Sequence, residues 1–164
     1  MERAKALARS LSLELVELKD EASRSIWEKL GRLHRLLPTD LRLRLSVLPA
    51  HTVEALCAGE RALDETLARL HILAQPGTGI VHIGGELTSA EERTLSSVVQ
   101  AIHHLRRTWA AHRGRVIVEH APPEIKRRVD VWGDVGASLP LMRALKHAFD
   151  PKRILSPGRF VAGL

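Results

Sequence analysis

The stretch Leu41-Arg42-Leu43-Arg44-Leu45-Ser46-Val47-Leu48 alternates apolar and polar residues strictly, which puts Arg42 and Arg44 on one face of a strand. Arg69 and His71 alternate with Leu70 and Ile72 in the same way, and His82 alternates with Val81 and Ile83. These residue types suit a definite chemistry. An arginine fork meets a carboxylate through two parallel hydrogen bonds, and an imidazole exchanges a proton near neutral pH. A second group lies at the C-terminus, in Asp150-Pro151-Lys152-Arg153-Ile154-Leu155-Ser156-Pro157-Gly158-Arg159-Phe160-Val161. Two proline-containing turns followed by an apolar anchor predict a tail that docks rather than frays.

Other chemistries find little support. Cys57 is the single cysteine, so an internal disulfide is excluded and a reducing, cytoplasmic setting is expected. His103-His104 and His112 fall on one predicted helix, but His104 and His112 are eight apart rather than the four that a helical metal pair needs. No Gly-x-Gly-x-x-Gly occurs, and Gly77 and Gly79 belong to a hairpin rather than to the entry of a helix. No nucleophile-histidine-acid arrangement stands out.

The elements that must position these residues follow from periodicity. Residues 2–36 predict a leading helix, with Gly31 as its point of interruption, followed by a turn at Pro38-Thr39-Asp40. Leu41 to Leu48 is a strand, His51 to Leu63 a helix, and Leu67 to Ala74 and Ile80 to Glu86 two strands joined by Gln75-Pro76-Gly77-Thr78-Gly79. Thr88 and Glu91 predict a capping box for a helix running to about His112, and Arg115 to His120 is a fourth strand. Leu139 to Phe149 is a last helix, stopped by Asp150-Pro151.

The order strand-helix-strand-strand-helix-strand is the split-βαβ, ferredoxin-like arrangement, of class α+β, with both helices on one sheet face. The other face then collects Arg42, Arg44, Arg69, His71, His82, Glu86, Arg115 and Glu119. A solvated face of compensating charges is the plain alternative. The expected division is 1–37, 38–121 and 122–164: a connecting helix, the ferredoxin-like domain and a helical return segment.

At 164 residues the chain can bury a core of its own. No signal peptide and no membrane span are expected, since no long apolar run occurs. Net charge is uneven. Residues 126–164 hold eight basic and three acidic groups, against eleven and ten in 31–125. A basic C-terminal region faces an anionic partner or solvent.

Val131-Trp132-Gly133, Leu141-Met142-Arg143-Ala144-Leu145-Lys146, Phe149-Asp150-Pro151 and Ile154-Leu155-Ser156-Pro157-Gly158-Arg159-Phe160 together resemble the C-terminal end of FAD-linked oxidases of the vanillyl-alcohol oxidase and D-lactate dehydrogenase fold. The nearest likeness is to the FAD-binding subunit of bacterial glycolate oxidase. Ser156 stands where the family usually has Asn. The resemblance implies a cap domain whose sheet covers a flavin. Arg42, Arg44, Arg69 and His71 would then bind the carboxylate of a small 2-hydroxy acid. His82 would take the hydroxyl proton, and Ser156, Pro157, Gly158 and Arg159 would lie near FAD. The implied partners are an FAD-binding domain and other oxidase subunits.

Some relatives carry a metal-binding His-x-Gly-Asp-Gly-Asn-x-His. Here His82-Ile83-Gly84-Gly85-Glu86 lacks the Asp, the Asn and the second His, so no metal is expected. Without a Gly-rich phosphate loop, tight FAD binding and turnover by the chain alone are not expected either.

Two competing readings remain. One is a ferredoxin-like small-ligand regulatory or oligomerisation module that dimerises through strand edges; for a cap cut from its partner domain, self-association through the exposed sheet face is expected instead. The other, RNA binding, requires strand aromatics for base stacking, and the four predicted strands contain none, so no nucleic-acid partner is expected.

Overall fold

The structure is a computed structural model that describes residues 2–36 and 39–164. It divides into two compact units, Met1–Leu37 and Pro38–Leu164.

In the first unit the expected continuous helix is two helices, α1 (Glu2–Ser10) and α2 (Asp20–Leu36). The break lies at residues 11–19 and not at Gly31, which sits inside α2. The reason is visible in the spacing. Leu11, Leu13 and Leu15 recur every two residues, which would scatter them around a helix instead of lining one face. Ser12 adopts a left-handed φ of 53°, and the Leu13 amide donates back to the Ala8 carbonyl at 2.9 Å, which closes α1. The turn expected at Pro38-Thr39-Asp40 begins outside the described residues.

The second unit opens with β1 (Leu41–Ser46), followed by α3 (Thr52–Leu63), β2 (Leu67–Gln75), β3 (Ile80–Leu87), α4 (Glu92–Ala110) and β4 (Arg115–His120). The strands form one antiparallel sheet in the order β2-β3-β1-β4. This is the ferredoxin-like α+β fold that the alternation predicts. The apolar half of each strand does the packing. Leu41, Leu43 and Leu45 on β1 and Val81 and Ile83 on β3 are buried beneath Ala55 and Leu63 of α3 and Val98, Ile102 and Leu105 of α4. Each such aliphatic side chain contributes about 1.5–3 kcal/mol on leaving water.

Glycine allows the tight approaches. A Cβ on Gly85 would sit 1.9 Å from the Arg69 carbonyl oxygen, so β2 can lie against β3 there only without one. A Cβ on Gly79, which has a φ of 69°, would meet the Val47 carbonyl oxygen at 1.9 Å, and the Val47 amide bonds the Gly79 carbonyl at 2.9 Å. Gly79 and Gly85 therefore serve backbone packing, whereas Gly77 has open space around it.

The expected Thr88–Glu91 capping box does not form. Glu91 is the N-cap of α4 and makes no side-chain cap bond. Instead the Ser89 hydroxyl accepts from the Glu91 amide at 3.4 Å and meets the Thr94 hydroxyl at 2.8 Å. Helix α4 ends two residues before His112, through a turn in which Arg113 has a φ of 56° and the Gly114 amide reaches the Trp109 carbonyl at 2.8 Å.

After β4 come α5 (Pro123–Lys126) and α6 (Leu139–Phe149). Arg106 of α4 ties the intervening chain down, donating through Nε to the Val116 carbonyl at 3.2 Å and through Nη2 to that of Asp130 at 2.6 Å. Its burial pushes the guanidinium pKa down from its ordinary value. Arg128 forms a two-pronged pair with Glu92 at 2.6 and 2.7 Å. That pair and the Ser96 hydroxyl hold the Glu92 pKa at about 2.

Candidate functional site

The outer face of the sheet is assembled by pleat and register. On β1, Arg42 and Arg44 project opposite to the buried leucines. Antiparallel pairing sets Arg44 beside His82 of β3 and beside Ile117 of β4. Pairing of β2 with β3 sets His71 beside Gly84 and Arg69 beside Glu86.

Four of these groups converge. Glu119 Oε2 lies 3.4 Å from Arg42 Nε and 3.3 Å from His82 Nδ1, and Glu119 Oε1 lies 3.8 Å from Arg44 Nε. The cluster is neither buried nor fully solvated, with side-chain exposures of 22% for Arg42, 37% for Arg44, 29% for His82 and 25% for Glu119. Two guanidiniums against one carboxylate leave a net positive charge at this point of the face.

The other expected site residues are placed differently. Arg69 points to the same face but pairs with Glu86 at 3.5 Å and is mostly exposed. His71 is half-buried, and its Nε2 is shielded from water without a hydrogen-bond partner. Neither makes a described contact with the Glu119 group.

Glu119 is what sequence reasoning passed over. It was placed on the correct face and given no role. It lies at a β-bulge: Leu43 faces Val118 while Arg42 faces His120, so Glu119 is the extra residue on β4. Bulges re-aim side chains, and no residue pattern in Arg115 to His120 marks this one.

The C-terminal candidates form a turn of their own. Ser156 has a φ of 44° and Gly158 a φ of 71°, and the Arg159 amide donates to the Ser156 carbonyl at 3.2 Å. Arg159 is exposed. The turn is held from behind by Asp150, which is buried and accepts from the Ile154 amide at 2.9 Å, the Leu155 amide at 3.0 Å and Lys146 Nζ at 2.6 Å. Lys146 and these two amides lower the Asp150 pKa from its ordinary value. The Trp132 ring packs 5.0 Å from that of Phe160, and Val161 and Leu164 are buried. Helix α6 has no buried residue, and its stripe Leu141, Leu145 and Phe149 is exposed, as are Ile154 and Leu155.

Gly158 has open space around it and Arg159 is unobstructed, whereas Gly79 and Gly85 are filled by neighbouring backbone. Among the described residues, no group of three or more His, Cys, Asp or Glu is placed to hold a metal ion. His112 instead packs its ring 5.1 Å from His51 and 5.7 Å from the buried Trp109, while His103 and His104 are exposed. No described helix is long and apolar enough to cross a membrane.

No curated protein and no solved structure matches the chain. A family model does match, that of the C-terminal domain of FAD linked oxidases, over residues 16–160. That span takes in the sheet, the Glu119 cluster and the turn that carries Arg159, and the chain therefore belongs to the family of FAD linked oxidase C-terminal domains.

Proposed function

We propose that this chain is the substrate-side cap of an FAD-dependent 2-hydroxy-acid oxidoreductase, similar to the FAD-binding subunit of bacterial glycolate oxidase. The observation that carries the reading is the outer sheet face, where two arginines and a histidine meet around one carboxylate with a net positive charge. FAD, when bound, supplies the two-electron acceptor. The chain's own part is to hold and orient the acid. Arg42 and Arg44 hold the substrate carboxylate, with Arg69 and His71 at the margin of the site. His82 takes the hydroxyl proton. Ser156, Pro157, Gly158 and Arg159 form the part of the chain that meets the cofactor or its domain.

The unburied α6 supports a partner domain. An apolar stripe of Leu141, Leu145 and Phe149, continued by Ile154 and Leu155, is larger than single scattered exposed residues and fits a surface that another domain covers. Arg143 and Lys146 lie on the same helix. The FAD-binding domain of the oxidase is the natural occupant, and other oxidase subunits would take the electrons onward.

An NMR titration tests the substrate reading. Glycolate at millimolar concentration shifts resonances of Arg42, Arg44 and His82, and ethylene glycol, which lacks the carboxylate, does not. Equal responses to both compounds, or none to either, would sink it. FAD titrated into the chain alone is expected to show no saturation below about millimolar.

A further inference from the structure

We infer that Glu119 is a positioning residue that locks His82 in the tautomer with hydrogen on Nδ1, leaving Nε2 as the ring atom that accepts a proton. Glu119 lies at the β4 bulge, on the same sheet face as His82. Its Oε2 stands 3.3 Å from His82 Nδ1. A carboxylate only accepts hydrogen bonds, so in the neutral ring the hydrogen must be on Nδ1. The groups around His82 on the same face are Arg42 and Arg44 on β1, His71 and Leu73 on β2, and Ile117 and Glu119 on β4. Arg42 and Arg44 can only donate, Leu73 and Ile117 are apolar, and His71 Nε2 makes no hydrogen bond. Glu119 is the one carboxylate with a described contact to the ring.

The arginines strengthen the lock. Arg42 Nε and Arg44 Nε hold the two oxygens of Glu119 from the β1 side, at 3.4 and 3.8 Å. The carboxylate is thus fixed by two cations while it orients the imidazole. Histidines in catalytic and metal sites are commonly oriented this way, by a carboxylate on the nitrogen that does not react. That Nε2 then serves as a base rests on the oxidase reading; the tautomer itself does not.

The test is long-range proton–nitrogen correlation on the chain carrying nitrogen-15 histidine, at about pH 8, above the ordinary imidazole range. Wild type should show His82 with a protonated Nδ1 and a bare Nε2. Glu119→Ala should return the ring to the ordinary form with hydrogen on Nε2. Glu119→Gln, whose amide oxygen still accepts, should keep the Nδ1 form. Glu86→Gln, on the same face but paired with Arg69, should change nothing. A wild-type ring protonated on Nε2, or a tautomer that survives Glu119→Ala, overturns the inference. If Glu119→Ala does not fold, the wild-type spectrum decides alone. A correct tautomer together with no response to glycolate would refute the oxidase reading and leave this one standing.

Discussion

Asp150 shows how much a single side chain can organise. It is buried at the end of α6, and its carboxylate closes the turn that returns the chain through Ser156 to Arg159. Its pKa is lowered in the folded state, so its contribution is complete above the ordinary carboxylate value and disappears as pH falls through the lowered one. Hydrogen exchange at the Ile154 and Leu155 amides should therefore lose protection, relative to the intrinsic rate at each pH, below about pH 4. Asp150→Ala should accelerate it at every pH while leaving core amides such as that of Ile102 protected. Ser156 offers the opposite case. It holds a left-handed φ of 44°, a conformation that costs most side chains about 1–2 kcal/mol and that Asn tolerates better. Ser156→Asn, which restores the residue usual in the family, should stabilise the C-terminal turn by about 0.5 kcal/mol, read from slower exchange at the Arg159 amide.

At the scale of elements, the sheet depends on glycine as much as on leucine. Gly85→Ala drives a Cβ into the Arg69 carbonyl, a backbone atom that cannot rotate away. A loss of about 2–3 kcal/mol is expected, measured by urea unfolding, since overpacking against fixed atoms costs at least what an inserted methylene does. Gly59→Ala is gentler. Its Cβ meets the tip of the Ile83 side chain at 1.9 Å, so a loss of about 1 kcal/mol should be relieved by adding Ile83→Val. Strand and helix boundaries were legible because period-two and period-3.6 patterns report which face is buried, and β1, α3, β3, α4 and β4 lie within a few residues of where the patterns put them. The capping box at Thr88 and the unbroken leading helix were misread. Cap geometry depends on local hydrogen bonds that compete closely, and leucines at spacing two interrupt the helical stripe between α1 and α2.

At the scale of the whole molecule, an exposed α6 stripe predicts a partner-dependent surface. Phe149→Ser with Leu145→Ser should leave the melting temperature of the Pro38–Leu164 unit nearly unchanged, because neither residue is buried there. The same pair should abolish association with an FAD-binding domain in a pull-down or sedimentation assay. A Tm drop of many degrees would mean that the stripe packs within the unit instead.

What the residues alone determined was the sheet topology, the face on which Arg42, Arg44, His71 and His82 sit, and the two turns of the C-terminal return. Side-chain alternation and proline chemistry are local, so they can be read without coordinates. Only the tertiary structure decided which of those face residues meet. Pairing across β3, β1 and β4 brings Glu119 against Arg42, Arg44 and His82, while Arg69 is taken by Glu86. Which residues of one face meet depends on the register between paired strands and on side-chain reach across them, and no single strand records either.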